Sequence, residues 1–242
     1  MAEIAVFCYS RSLAHAGRAV AVARALVGDG HRVTLFGQPH YLESSLLVAP
    51  AEFPLRVVYE PPLDQVLGAV RGRSGPAGDP AAALAGAVFE ELRIFESWRP
   101  DVVVTDNRRS AVLSAEIAGI PSVSLSNASL LGSLCAIDPT IAELAEICAP
   151  AFGRIPGEIT AAPEFAGQDH QTPVPTRAIP LEPGILEFCA QFKIRQRRHV
   201  HELCLGTRTL ILDVPELYPV RDIPDSVAVV GPILFDVAAA LP

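Results

Sequence analysis

The sequence predicts an α/β fold: a Rossmann-like, doubly wound parallel sheet forming a single domain over residues 1–242. Three observations predict it. Short β-branched apolar runs alternate with longer stretches of helical spacing. Glycines or prolines mark several junctions between them. Half of the residues are hydrophobic, enough to bury one large core.

The elements follow in order. Ile4 to Cys8 reads as a buried strand, and Ala14 to Val27, rich in Ala and Leu, as a helix stopped by Gly28 and Gly30. Val33 to Phe36 is a second strand, which completes one βαβ unit. Leu55 to Tyr59 is a third. A loop with Gly72, Gly75, Pro76, Gly78 and Pro80 then leads into a long helix from Ala81 to Trp98. Val102 to Val104 is an almost purely β-branched strand, Ser110 to Ala118 a helix, and Ser122 to Leu125 a strand. Seven prolines between Pro150 and Pro183 admit no regular element, so residues 150–184 are expected to leave the core as an excursion beside a cleft. A helix is expected from Ile185 to Leu203, with Lys193, Arg195, Arg197 and Arg198 on a solvated face or, alternatively, against a membrane surface. Thr209 to Leu212 and Val227 to Val230 are two final strands.

Composition narrows the function. Lys plus Arg number 19 against 27 Asp plus Glu, a formal charge of −8, so no nucleic acid is expected as partner. An acid at Glu3 and the lack of a following apolar run do not fit a signal peptide, and no stretch of about eighteen uncharged apolar residues would span a bilayer. Cys8, Cys135, Cys148, Cys189 and Cys204 are scattered and form no C-x-x-C pair, which reads as reduced thiols in a cytoplasmic protein with no metal site. His199 and His201, two residues apart, do not share a helix face for a metal, and His31 sits at the amino end of a strand and reads as structural.

Ligands of doubly wound sheets sit beyond the carboxyl ends of the strands. Two titratable side chains stand there. His15 opens the first helix after the first strand, and Asp106 directly follows the fourth. A histidine at a helix start can act as a general base, and a carboxylate beside it would fix its tautomer and stabilise the imidazolium. Residue positions alone leave two readings open: a working pair, or two residues that each begin a helix. Asn107, Arg108 and Arg109 either orient a polar or anionic ligand or begin a helix on its solvent side.

Several motifs in order add to this. Ala14-His15-Ala16-Gly17-Arg18 is followed by Ala21, Ala23 and Leu26. Gly30-His31-Arg32-Val33-Thr34 enters the second strand, and Pro100-Asp101-Val102-Val103-Val104-Thr105-Asp106 forms the fourth. Ala115, Gly119, Ile120, Pro121 and Val123 come next, with Asp213 to Leu217 and Val230-Gly231-Pro232-Ile233 near the end. In this order and spacing the chain resembles the N-terminal domain of GT-B glycosyltransferases, in particular UDP-glycosyl and natural-product glycosyltransferases. The resemblance implies a catalytic dyad of His15 and Asp106 in an inverting transfer. The sugar would move from a UDP- or dTDP-sugar, with no other cofactor, to a hydroxyl of a small or lipophilic acceptor. The loops beyond the strand ends offer acceptor contacts from Ser12, Leu13, His40, Tyr41, Asn107, Arg108, Asn127 and Ser129, with His40 and Tyr41 reading alternatively as an exposed loop pair. Residues 231–242 would begin an interdomain linker, and the C-terminal donor-binding domain, absent from these residues, would be supplied by the same polypeptide or by a separate subunit. The pattern departs from the family at Ala14, where a glycine is usual, at Arg18, where a proline is usual, and in Tyr9 to Leu13, which is not glycine-rich. The second function class is a non-catalytic binding or auxiliary subunit with the same fold. A dehydrogenase is the poorer reading, because no G-x-G-x-x-G follows the first strand.

Overall fold

The computed structural model describes residues 1–10, 12–42, 53–61, 80–127, 180–214 and 223–234. Seven strands form one sheet: β1 (Glu3–Cys8), β2 (Arg32–Gly37), β3 (Leu55–Val57), β4 (Val102–Asp106), β5 (Ser122–Ser126), β6 (Arg208–Ile211) and β7 (Val227–Val229). Their order is β3-β2-β1-β4-β5-β6-β7, and every pairing is parallel. The helices are α1 (Leu13–Gly28), α2 (Pro39–Leu42), α3 (Pro80–Ser97), α4 (Arg109–Ala118) and α5 (Pro183–Gln191), with a 3₁₀ turn at Val200–Cys204. Strand order reverses between β1 and β4. Neighbouring strands there send their connections to opposite faces, which opens a crevice at their carboxyl ends.

The alternation along β1 shows how the two faces are filled. Ile4, Val6 and Cys8 pack on one side with Ala16, Ala19, Val20 and Ala23 of α1, whose small side chains let the helix lie close to the sheet. Ala5 and Phe7 pack on the other, where Phe7 stacks on Phe36 at 4.5 Å and meets Phe95 of α3 edge-on at 5.9 Å. Burying a ring of this size stabilises the fold by about 1.5–3 kcal/mol. Gly119 closes α4 in the left-handed conformation (φ 65°), and the following Ile120 N–H donates back to the Ala115 carbonyl, so the chain turns directly into β5.

Three expectations change. The predicted helix from Ile185 to Leu203 ends at Gln191: Lys193 takes a positive φ of 54°, and His199 pairs with Pro180 as an isolated bridge before the 3₁₀ turn begins. Ile185, Cys189, Val200 and Leu203 still share one apolar cluster, so their common spacing reflected burial rather than one continuous helix. The basic run is not a uniformly solvated face either, since Arg197 is buried and donates to Glu116 at 2.6 Å. The His199 and His201 rings stack where the chain passes from the extended His199 into the 3₁₀ turn. Most of the proline-rich stretch, along with Cys135 and Cys148, lies outside the described residues. No described helix is long and apolar enough to cross a membrane.

Candidate functional site

The register that pairs Cys8 with Asp106 sets the site. It brings the loop leaving β1 and the carboxyl end of β4 side by side at the switch point. Asp106 is the last residue of β4 and its side chain is 1% exposed, while His15 stands in the first turn of α1 and is 16% exposed. His15 Nδ1 lies 2.7 Å from Asp106 Oδ1. The structure thus joins two side chains that are 91 residues apart in sequence.

Arg18, one turn further along α1, grips the same carboxylate. Its Nε donates to Asp106 Oδ2 and its Nη2 to Oδ1, both at 2.8 Å, and its Nη1 donates to Asn127 Oδ1 at 3.0 Å. Asn127 in turn donates to Asp213 Oδ1 at 2.9 Å. A line of polar groups therefore runs from His15 through Asp106, Arg18 and Asn127 to Asp213, across the ends of β4, β5 and β6. A side-on guanidinium–carboxylate pair fixes the plane of both groups, so Asp106 has a single orientation toward His15. Sequence reasoning missed this role. It saw Arg18 as a departure from a proline, in a chain where arginine carries nearly all the positive charge.

Two contacts compete for one nitrogen. Arg18 Nη2 lies 2.6 Å from His15 Nδ1, and Arg18 has no acceptor atom. When Nδ1 carries the proton it donates to Asp106, and the Arg18 contact is not a hydrogen bond. When Nδ1 is bare it accepts from Arg18, and the proton sits on Nε2. Only the first tautomer leaves Nε2 with a free lone pair. That nitrogen lies 3.3 Å from Asn107 Nδ2. Asn107 holds a positive φ of 53° at the exit of β4, which turns the chain sharply into α4, and its Oδ1 is buried without a hydrogen-bond partner among the described residues.

The residues after Asn107 do not lie on a solvent face. Arg108 is buried; its Nε donates to Glu91 Oε1 at 2.7 Å, its Nη2 to the Tyr59 carbonyl at 2.6 Å, and its guanidinium lies over the Phe7 ring. Glu91, wholly buried on α3, also accepts from the hydroxyls of Ser110 (2.8 Å) and Ser114 (2.5 Å). Arg108, expected as an acceptor contact, ties α3, β1 and the start of α4 together and also lines the cleft, with its Nη1 making no hydrogen bond among the described residues. Glu60 accepts from the backbone N–H and hydroxyl of Ser10 and faces Arg108 Nη1 at 3.8 Å.

The other expected positions divide. Ser12 is the N-cap residue of α1 but makes no side-chain cap, and Leu13 packs against the core. Asn127 is held by Arg18 and Asp213. His40 and Tyr41 fall on α2 with their side chains outside the described residues, as is Ser129 altogether. His31 accepts from the Ala2 N–H at 3.2 Å, at the amino end of the sheet, which agrees with its structural reading. Among the described residues no group of three or more His, Cys, Asp or Glu is arranged to hold a metal ion.

No family model matches the chain. Over 234 residues it is 27% identical to a PGL/p-HBAD biosynthesis glycosyltransferase of Mycobacterium tuberculosis, covering 93% of this chain and 49% of that protein. It is equally similar to an inactive PGL/p-HBAD biosynthesis glycosyltransferase of Mycobacterium bovis, of which it covers 57%. The chain therefore spans about half the length of the curated relatives it matches. Among solved structures, the glycosyltransferase of kitacinnamycin superposes over 99% of this chain and 53% of its own, with a TM-score of 0.55 at 20% identity. The chain has the GT-B glycosyltransferase type of α/β fold over about half the length of these structures. A spinosyn forosaminyltransferase (TM-score 0.53, 19% identity) and a glycosyltransferase from Streptomyces nogalater (0.51, 18%) show the same likeness, covering 98% and 99% of the chain and about half of their own. Both comparisons thus agree with the α/β, GT-B-like fold read from the motifs.

Proposed function

We propose that this chain is the acceptor-binding half of an inverting glycosyltransferase. The observation that carries the reading is the 2.7 Å contact between His15 Nδ1 and Asp106 Oδ1 at the switch point. With Nδ1–H donated to Asp106, Nε2 accepts the proton of an acceptor hydroxyl that replaces the long Asn107 contact. The oxygen attacks the anomeric carbon of a UDP- or dTDP-sugar. The bond to the nucleotide diphosphate breaks, and the diphosphate leaves with that electron pair. Asp106, oriented by Arg18, stabilises the imidazolium that forms. In this reading the donor sits mainly on the second half of the GT-B architecture, in the same polypeptide or on another subunit. Preorganised amides and polar side chains there stabilise the leaving diphosphate. With the donor-binding half supplied, His15→Ala is expected to lower the transfer rate by about 100-fold or more while the unfolding temperature stays unchanged. Wild-type turnover in that variant would refute the assignment.

A second reading has one specific observation in its favour. If the 2.6 Å contact from Arg18 Nη2 to His15 Nδ1 is the hydrogen bond that forms, the lone pair needed for catalysis is lost. The chain would then be a non-catalytic binding or auxiliary subunit. In that case acceptor binding persists and His15→Ala changes no rate.

A further inference from the structure

Three neighbouring strands carry polar residues at their carboxyl ends: Asp106 closes β4, while Asn127 and Asp213 follow β5 and β6. Register sets the last two as it sets the dyad. Ser126 pairs with Ile211, and the Leu212 N–H donates to the Ser126 carbonyl at 3.0 Å, so Asn127 and Asp213 leave the sheet side by side. Asn127 Nδ2 donates to Asp213 Oδ1 at 2.9 Å, and Asn127 Oδ1 accepts from Arg18 Nη1 at 3.0 Å.

Donor and acceptor chemistry gives this line a single direction. A carboxylate accepts and a guanidinium only donates. The Asn127 amide therefore presents its NH2 to Asp213 and its oxygen to Arg18. Turned over, it would set oxygen against a carboxylate and NH2 against a guanidinium, losing both hydrogen bonds. With Nη1 anchored on Asn127, Nε and Nη2 of Arg18 bind the two oxygens of Asp106 at 2.8 Å. The anchor matters because Nη2 also lies 2.6 Å from His15 Nδ1, the nitrogen that must carry the proton for Nε2 to be bare. Arg18 is only 11% exposed, so a donor deprived of Asn127 is poorly served by water. A bare Nδ1 is an acceptor already within its reach.

We propose that Asn127 and Asp213 are positioning residues that set the tautomer of His15. They hold Arg18 on Asp106, which leaves Nδ1 to donate its own proton to Asp106 Oδ1. Asn127 then acts through Arg18 rather than as the acceptor contact expected from its loop. This deepens the general-base reading above and rests on it for the starting tautomer. The test is nitrogen-15 NMR of the neutral His15 ring in the intact, ligand-free chain and in substituted chains. Asn127→Leu and Asp213→Ala are each expected to raise the ratio of Nε2-protonated to Nδ1-protonated ring by about tenfold or more, the scale of one hydrogen bond to a charged group. Asp213→Asn, which keeps an acceptor oxygen, should hold the proton on Nδ1. Adding Arg18→Met to Asn127→Leu should return it there, because the competing donor is gone. Two sites on separate strands keep the test open if one substitution unfolds the chain. An unchanged ratio in Asn127→Leu and Asp213→Ala, as an acceptor contact would give, overturns the proposal. So does a shift that persists once Arg18→Met is added, or one as large in Asp213→Asn as in Asp213→Ala. The two readings fail distinguishably. A wild-type ring protonated on Nε2 removes both, whereas a wild-type ring protonated on Nδ1 that these variants leave unchanged removes only the positioning role.

Discussion

Cys8 and Asp106 end paired strands, and the same burial that shapes the site silences the thiol beside it. Burial pushes the Cys8 thiol well above the usual range, and the negative charges of Asp106 and Glu60 push it the same way against the opposing charge of Arg108. Its thiolate is therefore scarce at neutral pH, and the thiolate is the reactive form. Cys8 should stay unmodified when the folded chain is treated with iodoacetamide at pH 8 and become labelled only after unfolding, as read by peptide mass spectrometry. Rapid labelling in the folded state would mean that the end of β1 is open to solvent. At this scale the sequence was partly legible. His15 and Asp106 stand out because few titratable residues follow a strand directly. Arg18 does not: its significance lies in what surrounds it, since it grips a carboxylate from another element. That grip is not encoded in local spacing.

Helix α3 carries its structural role in one residue. Glu91 is wholly buried, yet it is fully engaged by Arg108, Ser110 and Ser114, which join α3 to the start of α4. Removing one member of such a pair leaves the other charge buried and unmatched. Glu91→Ala should therefore destabilise the fold by about 3–5 kcal/mol, measured by urea denaturation. A loss below about 1 kcal/mol would show that water or another group takes over the Arg108 guanidinium. Elements themselves read well from the sequence where apolar periodicity was strong, as in β1, α1, β4 and α4. The failure at α5 is instructive. Apolar residues from Ile185 to Leu203 face one cluster, but the chain reaches it through a helix, a left-handed Lys193 and a 3₁₀ turn. Burial alone does not specify the path between buried positions.

At the scale of the whole molecule, strand order does what no segment can do alone. Placing β4 beside β1 carries an aspartate across the chain to a histidine in the first helix, with the carboxylate buried and the imidazole partly exposed at the rim of the sheet. Alternating strands and helices made the parallel sheet legible. Its order was not legible, because hydrophobic patterning gives a strand's faces and not its neighbours. The central claim is that this geometry holds the imidazole with Nδ1 protonated and Nε2 free to take a proton. Nitrogen-15 NMR of the neutral His15 ring in the intact chain reads this directly. The account predicts the proton on Nδ1, with Asp106→Asn moving it to Nε2. A wild-type ring protonated on Nε2, with Nδ1 accepting from Arg18, would contradict it.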